Sequence, residues 1–262
     1  MAEARALIAE QIEYRELLMQ MTRRDLLLRY KQTIMGFGWA LFMPLINTIV
    51  FSIVFMRVAP VETGMPYPLY AYTGLLAWNF TASSLRFAVT SLTSNANLVS
   101  KIYFPREIFP FSAVVVSLVD TLVGAIALVG LMAWYGVGVG WPILLLPLII
   151  AIHVMFTAGL ALVLAMGHLF FRDVKYLFDI FLNVAMFATS VVYPIELIGG
   201  KTGRILALNP LTPIIDAYRA VLLRGTVPDW GPLAAAAAVS AMLLLAGWTT
   251  FHRAELTFAE NI

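Results

Sequence analysis

The chain has 262 residues, 61% of them hydrophobic and 12% charged, with a formal net charge of +2 and no cysteine. So few charges, against about a quarter in a soluble domain, exclude water as the main solvent, and the small net charge excludes a nucleic-acid binder. The missing thiols exclude disulfides, thiolate nucleophiles and cysteine metal sites.

Residues 3–31 mix apolar side chains near helical spacing (Leu7, Ile8, Ile12, Leu17, Leu18, Met21) with Glu3, Arg5, Glu10, Glu13 and Arg15. This predicts an amphipathic helix on the membrane surface, a cytoplasmic segment 1–33 ahead of a membrane domain 34–262. A solvated helix packed on a partner is the alternative. No small-residue cleavage site precedes the first apolar block, so a removable signal peptide is not expected.

Apolar blocks of about twenty residues or more then follow, the length a helix needs to cross the hydrocarbon core. The expected spans are 34–56, which contains Pro44, then 67–92, 109–135, 141–171, 176–193 and 232–251. Gly136, Gly138 and Gly140 form an uncharged turn between the third and fourth. The fold class is thus an all-α integral membrane protein of six transmembrane helices, with both termini on one side.

Placing the amino terminus in the cytoplasm puts Arg5, Arg15, Arg23, Arg24, Arg29, Lys31, Lys101, Arg106, Arg172, Lys175 and Arg253 inside, eleven of the seventeen basic residues. Arg57, Lys201, Arg204, Arg219 and Arg224 fall outside, and Arg86 falls within the second span. The short loops obey the positive-inside rule, and long loops weigh less. The exception, 194–231, is amphipathic through Leu206, Leu208, Leu211, Ile214, Ile215, Ala217, Val221, Leu222 and Leu223. It reads as a re-entrant helical hairpin between helices five and six, broken at Asn209, Pro210 and Pro213.

Between the second and third spans stand Asn97-Leu98-Val99 and Lys101-Ile102-Tyr103-Phe104-Pro105-Arg106-Glu107, then Pro110. Prolines stiffen this loop, and exposed aromatics with an arginine are the anchors that protein interfaces favour. Arg172, Asp173 and Lys175 make a second short cytoplasmic turn. Arg29-Tyr30-Lys31-Gln32-Thr33 with Gly36, Trp39 and Pro44 opens the first span, Phe171-Arg172-Asp173-Val174 precedes the fifth, and Tyr193-Pro194 with Asn209-Pro210 follows it.

In this order and at these positions, the patterns resemble the permease subunits of type-2 ABC exporters, the group moving O-antigen, capsule or teichoic-acid chains. The resemblance covers nearly the whole chain. It implies a subunit in the bacterial inner membrane that carries lipid-linked polysaccharide, works with a second copy of itself and draws on two ABC ATPase subunits. ATP and Mg would be bound by the ATPase, and no cofactor or metal by this chain. Asn97, Lys101, Tyr103, Phe104, Pro105, Arg106 and Glu107 would form the coupling element that docks on the ATPase, with Arg172 and Asp173 as a second contact. Gly200-Lys201-Thr202 lacks the upstream glycine of a phosphate-binding loop, since Ile195 stands there.

Sugar rings stack on aromatic rings, so Trp39, Phe42, Phe51, Phe55, Tyr70, Tyr72, Trp78, Phe80, Phe187 and Tyr193 are candidate channel residues. Aromatics also gather at interfaces and fill helix contacts, so only a subset can face a channel. Arg86 and Asp120, charges within the membrane, are expected to pair with each other. His153 and His168 are expected to pack, and Asp179 and Glu196 to be hydrated. A type-2 exporter of drugs or membrane lipids is an alternative, as is an integral-membrane enzyme acting on lipid-linked sugars, which would need convergent acids or histidines.

Overall fold

A computed structural model describes residues 13–31, 33–101 and 104–260, and its elements are all helical. Tyr103 and the first twelve residues lie outside the described residues. In chain order the helices are α1 (Arg15–Tyr30), α2 (Gly38–Ile53), α3 (Tyr67–Ser91), α4 (Ala96–Lys101) and α5 (Ile108–Trp134). They are followed by α6 (Leu146–Phe170), α7 (Val174–Phe187), α8 (Gly200–Ala207), α9 (Leu211–Arg219) and α10 (Trp230–Ala254). A π-helical turn prolongs α2 to Val58 and another prolongs α9 to Arg224.

Local chemistry sets the helix ends. Pro68 and Pro147 sit in the first turns of α3 and α6, where a missing N–H leaves no bond unmade. Gly136, just past α5, takes the left-handed conformation (φ 68°) that ends helices. Asp229 caps α10 by accepting from the Gly231 N–H at 3.1 Å. Pro44 is accommodated within α2.

Among the described residues, four helices are long and apolar enough to cross a bilayer: Gly38–Val58, Ile108–Trp134, Trp141–Phe170 and Trp230–Ala254. The pair Gly200–Ala207 and Leu211–Arg224, bent by 84°, makes a fifth if counted as one span. The other two expected spans differ in kind. Helix α3 has 25 residues but carries many hydroxyls, and it packs among α2, α5, α6, α7 and α9. Several of its polar groups are met by protein rather than lipid: Tyr72 donates to Gly124 O at 2.7 Å and Thr81 bonds His153 Nε2 at 2.7 Å. Helix α7 stops after 14 residues, and residues 188–193, expected as its continuation, run as turns and bends.

Contact without side chains holds α6 to α10. A Cβ on Gly159 would lie 2.7 Å from Leu244 N, and one on Gly247 would lie 2.9 Å from Gly159 O, so the two backbones touch. Helix directions alternate through the bundle. The start of α5 and the end of α10 therefore share one end with α1 and α4, and α8 and α9 lie at the other.

Candidate functional site

At the α1 end, three segments build a small core of their own. Phe104, Ile108 and Phe109 pack with Phe251 and Phe258, and Leu17, Leu18 and Met21 of α1 close over them. The Phe104 and Phe109 rings meet edge to face at 5.5 Å. Polar bonds fix the same joint: the Arg106 backbone N–H donates to Glu255 Oε1 at 2.9 Å, and its guanidinium to the Glu255 carbonyl. Glu107, fully buried, meets His252 Nδ1 at 3.1 Å through Oε1, while its Oε2 has no hydrogen-bond partner. Burial above all, with the Glu107 charge adding to it, holds the Glu255 carboxyl above the usual carboxylate range, against Arg106 and His252. Glu107, His252 and Glu255 bring one donor atom each within 4.8 Å of one another, enough for a divalent cation, but Arg106 already supplies Glu255 with a positive neighbour.

Helix α1 runs along α5. Ser112 donates to Asp25 at 2.7 Å, and both Arg29 and Tyr30 donate to Asp120, about 18 Å along α5 from Ile108. The Arg29 guanidinium also lies 3.7 Å from the Phe87 ring centroid. This corrects the expected Arg86–Asp120 pair. Matching depth does not fix direction around a helix, and Arg86 faces α7 instead, 3.6 Å from Asp179 with both side chains half exposed.

At the opposite end the dominant group is Arg219, with no exposed surface. Its Nη1 donates to Ser190 Oγ at 3.1 Å and Asp216 Oδ1 at 2.9 Å, and its Nη2 to Val191 O at 2.7 Å. The guanidinium stacks on Tyr70, 3.5 Å from the ring centroid. Gly74 leaves it room, since a Cβ there would stand 2.5 Å from Nη2. Sequence position alone puts Arg219 in an external connection; instead it joins α9, α3 and the 188–194 segment inside the protein. The nearby Asp216, three residues earlier on the same helix, is the signal that could have found it. Beside this joint opens a cavity of about 990 Å³, lined by Glu62, Tyr70, Ile195, Asp216, Arg224 and Asp229 among others.

Several helices leave apolar side chains uncovered, α2 and α7 among them. On α2 these are Trp39, Phe42, Met43, Ile46, Ile49 and Val50; on α7, Tyr176, Leu177, Ile180, Phe181, Val184 and Phe187.

The family model described as "ABC-2 type transporter" matches residues 16–223, from α1 to the end of the turn after α9. The chain belongs to this family. Among relatives of the ABC-2 type transporter chain is an "O-antigen export system permease protein RfbA" of Myxococcus xanthus, 31% identical over 98% of this chain and 99% of the relative. A protein of the same name from Klebsiella pneumoniae is 28% identical over 94% of each.

The geometry of this ABC-2 chain sorts the residues singled out in its sequence. Of the coupling set, Asn97 is exposed on α4, but Phe104 (5% exposed), Pro105 and Glu107 are buried and Arg106 is largely covered. The expected exposed aromatic anchor is therefore corrected for Phe104: its ring is taken up by Phe109, Phe251 and α1. Arg172 and Asp173 are exposed at the α6–α7 turn. Of the aromatics, Trp39, Phe42 and Phe187 face outward, while Phe51 and Phe55 half-pack on α3, Phe55 lying 5.8 Å from Tyr67. Tyr193 is half-buried and its hydroxyl closes back on Phe187 O. Tyr70 and Trp78 both lie inside the subunit, Tyr70 under Arg219 and on the wall of the cavity beside it, and Trp78 in the main core. His153 packs as expected, held between Thr81 and, at 3.3 Å, Tyr218.

Proposed function

We propose that the chain is the membrane-spanning subunit of an exporter that moves lipid-linked, O-antigen-like polysaccharide across the bacterial inner membrane. In this reading two copies of the chain work with two ATPase subunits that bind ATP and Mg. The observation that carries it is the similarity to an O-antigen export permease over 98% of the chain. That similarity spans the loops between the helices as well as the helices.

The architecture supports the reading. Six crossings follow when α3 and the α7 segment cross together with the four long apolar helices, and α8 and α9 form the re-entrant pair. The α1 end is then cytoplasmic. ATP-driven closure of the ATPases pushes on exposed α4 and on the Arg172-Asp173 turn. The packed joint behind α4 passes that push to α5, α10 and α1 at once. The glycan passes between the two copies, along the outward faces of α2 and α7, where Trp39, Phe42 and Phe187 offer rings to sugars.

Vesicles holding the chain with its ATPase, loaded with lipid-linked O-antigen, test this. Glycan should become accessible on the far leaflet only with ATP and the ATPase present. Transfer without the ATPase, or none with it, would sink the reading.

A further inference from the structure

At the α1 end, a second pocket of about 330 Å³ opens between the end of α3 and the α6–α7 turn. Thr90, Thr93 and Ser94 form one wall, and His168, Arg172 and Lys175 the other, with Tyr176 at the rim. His168 is 8% exposed, and its Nδ1 has no hydrogen-bond partner. Arg172 and Lys175 are exposed. The nearest acid one turn up α7, Asp179, lies beside Arg86, and Asp173 does not line the pocket.

Two basic side chains, three hydroxyls and an imidazole lining one space make a receptor for a phosphate, whose oxygens accept several charge-assisted bonds at once. What lies next to it says that the phosphate belongs to an amphiphile. From Tyr176 the exposed face of α7 continues through Leu177, Ile180, Phe181 and Val184, an apolar strip leading directly away from the cations. Lipid headgroups sit where charged side chains give way to apolar ones.

We propose that this pocket binds the phosphate headgroup of a membrane lipid whose tail lies along α7. The headgroup has two sources, an anionic phospholipid or the diphosphate of the carrier that bears the glycan; only the second rests on the exporter reading. In the second case the pocket is where the carrier waits beside the α7 face before transport.

The test uses the full chain purified in detergent, with farnesyl diphosphate and phosphatidylglycerol as probes and farnesol as the probe without a headgroup. Replacing Arg172→Gln and Lys175→Gln together should weaken phosphate-lipid binding about tenfold or more. Farnesol binding should stay unchanged, and Lys175→Arg should retain the wild-type affinity within about threefold. A loss confined to farnesyl diphosphate identifies the carrier; a loss of both lipids upholds the site with either source. Unchanged binding of both, an equal loss for farnesol, or an equal loss from Lys201→Gln with Arg204→Gln in α8 overturns the proposal. Export that fails while lipid binding persists would sink the exporter reading and leave this one standing.

Discussion

A guanidinium without exposed surface must satisfy its charge and its donors inside the protein. Arg219 meets most of that demand through its two terminal nitrogens, on one carboxylate, one hydroxyl, carbonyls of two segments and the face of Tyr70, while its Nε has no hydrogen-bond partner among the described residues. Arg219→Met should therefore cost about 3 kcal/mol or more, because Asp216 and two carbonyls lose a buried donor while Tyr70 loses its cation. A fall in the thermal midpoint of the purified chain reads this out. Arg219→Lys should recover only part, since a point charge cannot serve two sides of the joint. Glu255 makes the opposite kind of prediction. Its folded-state pKa is raised, so its contribution to stability is full below the unfolded value and is lost as pH climbs through the folded one. The midpoint should decline as pH rises above the ordinary glutamate range, and less steeply in Glu255→Gln. An equal slope in the variant would assign the effect to another group.

At the scale of elements, contacts between helices depend on where bulk is missing as much as on where it is present. Backbone contact between α6 and α10 needs Gly159 and Gly247 together, and the space between them holds no Cβ. Gly159→Leu should destabilise by about 2 kcal/mol through overpacking, measured as a lower thermal midpoint. Gly130→Leu is the control, since nothing lies within 4 Å of a Cβ there. Helix α3 shows the complementary rule. It tolerates Tyr, Thr and Ser because α2, α5, α6, α7 and α9 shield it from lipid. The loop before α5 gains its rigidity from the tail of α10 and from α1 rather than from its prolines alone.

For the whole molecule, the uneven covering of the bundle is the main feature. Helix α2 is long and apolar, yet only 11% of its most apolar stretch is buried, against 56% for the span that contains α6. Lipid covers such a face, or a second copy does. The chain has no cysteine, so single cysteines give a clean test. Ile46→Cys in membranes containing the assembled transporter should yield a disulfide-linked dimer on oxidation, whereas Ile126→Cys on α5 should not. A dimer through Ile126 and none through Ile46 would move the two-fold contact elsewhere on the bundle.

The sequence by itself determined the membrane setting, the all-helical class and most helix boundaries, because bilayer thickness demands long apolar runs and proline and glycine punctuate them. The expected 109–135 and 141–171 fall within a residue of the spans Ile108–Trp134 and Trp141–Phe170. The family, too, was legible in short loop patterns. What only the tertiary structure decided is which way each side chain points and what meets it there. Asp120 bonds Arg29 rather than Arg86, Phe104 fills a core rather than standing exposed, and Arg219 lies inside rather than in a loop. Depth along a helix follows from counting residues, but direction around it depends on neighbours remote in the chain, and these come together only when the helices pack.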